Sequence, residues 1–318
     1  VHRAFHALPP LTAPNGMVVN AVYGFTSVLL KTIKDMKPDY MAAAFDLAGP
    51  TFRHEEFEDY KAHRKKAPDE LYAQIPIIKE MLRAFGVEIF EKAGFEADDL
   101  IGSVAEEAKK IKDLQTVILT GDLDTLQLVD DEKVLVLTLR KGVTDTVLYD
   151  EKAVKERYGL ETSQVIDFKG LKGDPSDNIP GVPGIGEKTA TALLQEYGTI
   201  ENLYKVIHNR AALYEGKGVL TEKLVKKLKE NEEQAIFSKR LATIVRDVPI
   251  EFSLKGIDWQ SKLDREAIVK KLKGLGFGSL LNRLDSTISQ PEAERNETTD
   301  QKPSGQEANQ PYTYLKIP

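Results

Sequence analysis

Cysteine is absent from all 318 residues. That excludes disulfide staples, thiolate zinc sites and a cysteine nucleophile. No apolar run approaches the roughly 20 residues that cross a bilayer, and the N-terminus has no basic-then-apolar leader pattern. An excess of positive charge is missing too. Fifty Asp and Glu against 44 Lys and Arg give a formal −6, which at first argues against nucleic acid as a partner. What is present, 41% hydrophobic and 30% charged residues, is the balance of a soluble globular protein with chain enough for one large domain or two. A cytoplasmic location with no membrane partner is the expectation.

Strand-like runs alternate with helical periodicity through the first half. Helical spacing covers 17–36, where Val22, Phe25, Leu29 and Ile33 share a face, and 69–85, where Leu71, Ile75, Ile78 and Leu82 do. Another helix opens near Ala97. Short apolar runs at 41–45, 87–90, 116–120 and 134–139 read as buried strands. The alternation predicts an α/β fold around a mostly parallel sheet. After residue 150 only helical patterns follow, at 151–158, 163–171, 187–197, 200–208, 219–229, 232–245 and 265–284, predicting a helical second lobe. Residues 286–311 are rich in Ser, Thr, Gln, Glu, Asn and Pro, a linker composition, and 312–317 resume a strand-like pattern. The expected organisation is therefore 1–150, 151–284 and 285–318. The chain starts at Val1 without methionine, and is expected to be a piece of a longer protein cut at both ends.

Acids stand where structure alone explains them poorly. Asp46 ends an apolar strand. Glu96, Asp98 and Asp99 open a helix, Asp122 and Asp124 follow the clearest strand, and Asp174 and Asp177 lie in Gly-Asp-Pro-Ser-Asp-Asn. Ligands gather at the carboxyl ends of strands in α/β sheets. Asp122 and Asp124, two apart in an extended segment, would face the same way. Crowded carboxylates repel unless a cation neutralises them, and all-oxygen donors select a hard ion, Mg²⁺ or Mn²⁺. Helix-capping acids and turn residues are the plainer readings of Glu96–Asp99 and of Asp174 and Asp177 taken singly. One metal cluster accounts for all of them together.

Residues 179–189 read Ile-Pro-Gly-Val-Pro-Gly-Ile-Gly-Glu-Lys-Thr. Gly181 and Gly186 have P-loop separation, but Glu187 intervenes before Lys188 and no strand leads in, which excludes that motif. The alternative is a helix–hairpin–helix unit over about 163–197. Its glycines Gly181, Gly184 and Gly186 would let backbone N–H groups approach a phosphate at a helix N-terminus, beside Lys188. The turn's carbonyls would suit K⁺. Arg53, Lys61, Arg64, Lys65 and Lys66 are interleaved with Phe52, Phe57 and Tyr60. Cations with aromatics suit single-stranded nucleic acid; Glu55, Glu56, Glu58 and Asp59 dilute the pattern toward an ordinary solvated helix.

In combination these motifs resemble the 5′-nuclease (flap endonuclease-like) family, specifically the N-terminal 5′→3′ exonuclease domain of bacterial DNA polymerase I. The resemblance covers nearly all of 2–284. It rests on Arg3-Ala-Phe-His-Ala-Leu, Ala-Phe-Asp46, Phe52-Arg53-His54-Glu55, Tyr60-Lys61, Glu96-Ala-Asp98-Asp99, Thr120-Gly-Asp122-Leu-Asp124, Gly173-Asp-Pro-Ser-Asp-Asn-Ile-Pro-Gly and Gly184-Ile-Gly-Glu-Lys-Thr-Ala. It implies a PIN-like, resolvase-like sheet and a helical lobe with an H3TH-type DNA-binding unit. Asp46, Glu96, Asp98 and Asp99 would serve a first metal; Asp122, Asp124 and Asp177 a second, with Asp174 nearby. A helical arch over about 50–82 would carry Arg53, Tyr60, Lys61 and Arg64 along the 5′ strand, and Arg3 would contact phosphate near the cut. The implied partners are 5′ flaps, nicked or gapped duplex and RNA primer–DNA junctions, met by a monomer in a bacterial nucleoid, with a polymerase attached C-terminally. The family opens with a strand ending in Asp-Gly, which does not precede Arg3 here, and His2 stands where Tyr is usual. Two rival readings are a DNA-binding fragment with impaired catalysis and a PIN-like ribonuclease; the latter would lack the glycine-rich hairpin and long helical lobe.

The charge argument changes accordingly. The tail 285–318 carries six acids and three bases, so the rest of the chain is at −3. Setting aside the eight acids of the candidate metal site leaves +5.

Overall fold

The structure, a computed structural model, describes residues 1–141, 145–209 and 219–288. The linker and strand expected beyond residue 288 lie outside the described residues. The first part comprises α1 (His2–Ala7), α2 (Asn20–Met36), β1 (Ala42–Ala44), α3 (Phe52–Glu56), α4 (Asp69–Ala84), β2 (Glu88–Phe90), α5 (Ala97–Lys109), β3 (Thr116–Thr120), β4 (Val134–Lys141) and β5 (Asp145–Tyr149). The helices that follow are α6 (Glu151–Tyr158), α7 (Val165–Lys172), α8 (Glu187–Tyr197), α9 (Ile200–His208), α10 (Glu222–Glu230), α11 (Glu232–Ala242), α12 (Leu254–Ile257), α13 (Arg265–Gly274) and α14 (Gly278–Thr287).

The alternation of strands and helices is as expected, but the sheet is not one piece among the described residues. β1 pairs in parallel with β2, and β3 in parallel with β4. β5, which the sequence reading passed over, runs antiparallel to β4. The strand 116–120 and the helices at 187–197 and 200–208 fall where the periodicity put them. The helix expected over 265–284 is two, because Gly276 adopts a positive φ of 76° that an L-residue resists.

α2 has no side-chain cap of its own. Its first N–H groups are met from α4 by the fully buried Gln74. Gln74 Oε1 accepts from the N–H of Ala21 at 2.8 Å and of Val22 at 3.2 Å. Its amide donates to Asn20 Oδ1 and to the Glu70 carbonyl, so a buried polar group is satisfied on both ends.

Three cores result. One joins α2 and α4 to Trp259, α13 and α14. A second packs β3, β4 and Val154 of α6 against Ile244. The third fills the bundle of α7–α11. The expected boundary 151–284 therefore needs correction. α6 packs on the β3–β4 sheet, and α13 and α14 return to the first half, because Ile268, Leu272, Leu280 and Leu284 bury their apolar stripe there.

α7 and α11 approach closely at Gly170. A Cβ there would lie 2.8 Å from Lys239 Cβ and 3.1 Å from the Ala235 carbonyl oxygen. Gly170→Ala should destabilise the fold by about 1–3 kcal/mol through overpacking, despite the roughly 1 kcal/mol gain in helix propensity. Urea unfolding checks this, and a neutral or stabilised variant would contradict the close packing.

Candidate metal centre and its basic shell

Asp46, Asp122 and Asp124 lie within electrostatic reach of Asp98, held by local contacts that act as caps. Asp46, just past β1, accepts the Ala97 N–H at 2.8 Å and so closes the start of α5. Asp122, just past β3, accepts the Asp124 N–H at 3.0 Å. That contact starts a 3₁₀ turn over Leu123–Leu128. The expectation that Asp122 and Asp124 lie in an extended segment is corrected by it: the aspartate side chain captures the backbone two residues on. Glu96 and Asp99 form a reciprocal capping box at the start of α5.

Asp98 shows how crowded the site is. Burial, then the charges of Asp122 and Asp124, and then Asp46, push its carboxyl up to about 7, against the pull of Lys61. Asp124 is raised to about 6, first by burial, with Asp122 and Asp174 adding to it. Asp174 goes the other way, to about 2: burial raises it, but the charge of Lys169 and hydrogen bonds from Lys169 and Ser176 outweigh that.

Basic side chains cross the cluster. Lys169 of α7 bridges Asp124 and Asp174. Lys61 Nζ donates to Glu96 at 2.6 Å and lies 3.7 Å from Asp177. Arg64 pairs with Asp177, and the Tyr60 hydroxyl donates to Glu96 at 3.1 Å. Asp177 thus sits with Glu96 rather than with Asp122 and Asp124. Among the described residues no group of three acidic or histidine side chains is gathered closely enough to hold one ion as arranged. Ammonium and guanidinium groups hold the acids instead. Lys169 was not singled out in the sequence; its only signal was a lysine one helical turn before Gly173-Asp174.

Lys61 and Asn178 both adopt positive φ, 57° and 60°, which is uncommon for residues with a side chain. The Lys61 N–H donates to the Asp177 carbonyl at 2.9 Å, and the Asn178 amide to the Asp59 carbonyl at 2.7 Å. The segment after α3 is stitched by these bonds to the loop after α7.

Several expected roles need correction. Arg53 is only 3% exposed and pairs with the fully buried Asp99 at 2.7 and 2.8 Å. Neither the steering of a strand by Arg53 nor metal ligation by Asp99 fits that geometry, because each group's bonding capacity is already used. Tyr60 is buried with Ile179, Leu241 and Ala242, and Phe57 packs edge-on against Phe237. Those rings are core, so they form no stacking platform. The span 50–82 holds one short helix, a run of turns and most of α4 rather than a continuous arch.

At the hairpin, Gly181 is structural. Its N–H donates to Ser238 Oγ at 3.0 Å, its carbonyl accepts from Gln234, and a Cβ would lie 2.2 Å from the Gly173 nitrogen. Gly184 (φ 72°) and Gly186 are exposed, and Lys188 stands exposed in the first turn of α8. Arg3 is exposed too, its Nε 3.8 Å from where a Cβ on Gly121 would be, beside Asp122.

The raised carboxyls have a consequence for stability. A folded chain that holds Asp98 and Asp124 above their ordinary values binds protons more readily than the unfolded chain. The metal-free protein should gain stability as pH falls from 8 toward 5.5 and lose it as pH climbs through about 6 and 7. Asp174 opposes this only below the ordinary carboxylate range. The melting temperature in chelator should be higher at pH 5.5 than at pH 8 by at least about 2 °C; a fall would contradict the crowding.

The family model described as 5′-3′ exonuclease, N-terminal resolvase-like domain, matches residues 1–159, and that described as 5′-3′ exonuclease, C-terminal SAM fold, matches 160–265. DNA polymerase I of Bacillus subtilis (strain 168) is 44% identical over 294 residues, 92% of this chain and 32% of its own length. DNA polymerase I of Bacillus caldotenax is 45% identical over 291 residues, again 92% and 32%. The chain thus spans about a third of the length of these curated relatives. A solved structure of T5 5′-exonuclease with bound zinc shares the fold at TM-score 0.56 and 21% identity, over 80% of this chain and 89% of that one. The catalytic core of Rad2 in complex with DNA substrate does so at TM-score 0.53 and 16% identity, over 89% of each. With both domain models matched in order across an acid-lined centre, the chain belongs to the 5′-3′ exonuclease family.

Proposed function

We propose that this chain is a structure-selective nuclease that hydrolyses DNA phosphodiesters at free 5′ ends and 5′ flaps, leaving 5′ phosphates. The observation that carries the reading is the cluster of Asp46, Asp98, Asp122 and Asp124 past the strand ends, where burial and then the neighbouring carboxylates push Asp98 up to about 7, crossed by Lys61 and Lys169. The donors are all oxygen, which fits Mg²⁺ or Mn²⁺. Asp46, Glu96 and Asp98 would hold one ion, with Asp177 beside Glu96 through Lys61, and Asp122 and Asp124, with Asp174 near, a second. When bound, the two ions supply activation of water and neutralisation of the leaving 3′ oxygen.

The chain's own groups then have definable tasks. Lys61, Arg64 and Lys169 now neutralise Glu96, Asp177, Asp124 and Asp174. Released from them, these cations would turn to the scissile phosphate and its neighbours. Arg3 lies beside Gly121 and would hold a phosphate at the mouth of the site. Gly184, Gly186 and Lys188 would seat the backbone of the downstream duplex at the start of α8, with K⁺ at the turn's carbonyls. Flaps, nicked or gapped duplex and primer junctions present the free 5′ end that such a site would take. The setting would be primer removal and repair on bacterial nucleoid DNA, by a monomer in continuity with a polymerase. Among the described residues no helix is long and apolar enough to cross a membrane.

Asp122→Ala combined with Asp124→Ala should abolish Mg²⁺-dependent cleavage of a labelled 5′-flap DNA. Binding of that DNA should persist. Unchanged cleavage by the double variant would remove the two-metal reading, and flap binding without any cleavage by the unaltered chain would favour a DNA-binding fragment instead.

A further inference from the structure

The buried Arg53–Asp99 pair has no task in the chemistry above, yet it sits directly behind Glu96. Arg53 Nε donates to the Leu241 carbonyl at 2.9 Å. One terminal nitrogen donates to Asp99 at 2.7 Å and reaches Glu96 at 3.5 Å; the other donates to Asp99 at 2.8 Å and to the Thr243 carbonyl at 2.7 Å. All five N–H groups of the guanidinium are thereby directed to acceptors. Asp99 in turn accepts from the backbone N–H of Glu96 at 3.1 Å and of Val245 at 2.9 Å. Three separate segments meet at one ion pair: the start of α3, the start of α5 with its metal-facing acids, and the extended strap that leaves α11. Gly102 shows how tightly the strap lies on α5, for a Cβ there would be 2.7 Å from Ile244 Cγ2.

We propose that Arg53 is a positioning residue of the metal centre, acting through Asp99 and Glu96 to fix the first turn of α5 against the helical lobe. The fork geometry does this and a point charge does not, since only guanidinium reaches two carbonyls and a carboxylate at once. Outer partners of metal ligands commonly alter metal affinity by about 10–100-fold. The inference rests on the reading of Glu96 and Asp98 as metal-site acids, so its test must separate the two.

Mn²⁺ binding followed by electron paramagnetic resonance, alongside flap cleavage across a Mg²⁺ series, does so for the full chain and for Arg53→Lys. The expected result is a folded variant whose Mn²⁺ affinity and half-saturating Mg²⁺ are both weakened by about 10-fold or more. Its KM for flap DNA should be little changed, and high Mg²⁺ should restore most of the rate. A folded Arg53→Lys chain with unaltered metal dependence would overturn the proposal. So would a rate loss that Mg²⁺ does not restore. Should Arg53→Lys not fold, Asp99→Asn is read in the same way. Failure of both to fold would assign the pair to holding the fold alone and overturn the positioning role. If the unaltered chain itself binds no Mn²⁺, the metal reading fails, and the positioning proposal fails with it.

Discussion

Carboxylates brought together at the ends of strands repel one another, and burial sharpens the repulsion. Asp46, Asp98, Asp122 and Asp124 are gathered by β1, β3 and the first turn of α5, and Asp98 is pushed up to about 7 as a result. Nothing in the hydrophobic cores requires this arrangement. It is sustained by local caps, such as Asp46 on the Ala97 N–H and Asp122 on the Asp124 N–H, and by cations drawn from the neighbouring elements. Lys61 spans Glu96 and Asp177, Lys169 spans Asp124 and Asp174, and Arg64 ties the segment after α3 to Asp177, so the cations that offset the repulsion also link the helical lobe to the α/β half.

Two kinds of charge pairing share this region and differ in what they can do. Arg53 and Asp99 are almost wholly buried and fully satisfied, and removal of either partner would strand a charge in the interior. Arg64 is half-exposed and holds one carboxylate, Asp177, whereas Lys61 and Lys169 each bridge two acids with ammonium groups that make no fork. The fork-bonded pair lies at the back of the acids and the ammonium bridges lie across their front.

Much of this was legible in the residues. Acids after apolar strands, Gly121-Asp122-Leu-Asp124 above all, pointed to the cluster around Asp98, and α8 starts at Glu187 where periodicity placed it. Burial of charge was the part that did not show. Arg53 among charged neighbours reads as a surface residue, and only its partners at Asp99, Leu241 and Thr243, far away in sequence, place it inside. Tyr60 and Phe57 were misread for the same reason: an aromatic between lysines can face either solvent or core, and spacing does not say which. β5 was missed although Thr146-Val-Leu-Tyr149 has strand character, because a short run between polar residues carries little periodicity. The return of α13 and α14 to the first core is a long-range contact that no local pattern announces.

If the acid cluster is a divalent-cation site, its protons and cations are displaced when the ion arrives. Calorimetric titration of the chain with Mn²⁺ at pH 6.5, in two buffers of different ionisation enthalpy, tests it most directly. Saturable binding of two ions with net release of protons to buffer is the expected result, since burial and the neighbouring carboxylates push Asp98 up to about 7. Absence of saturable binding, or binding with no proton release, would contradict it.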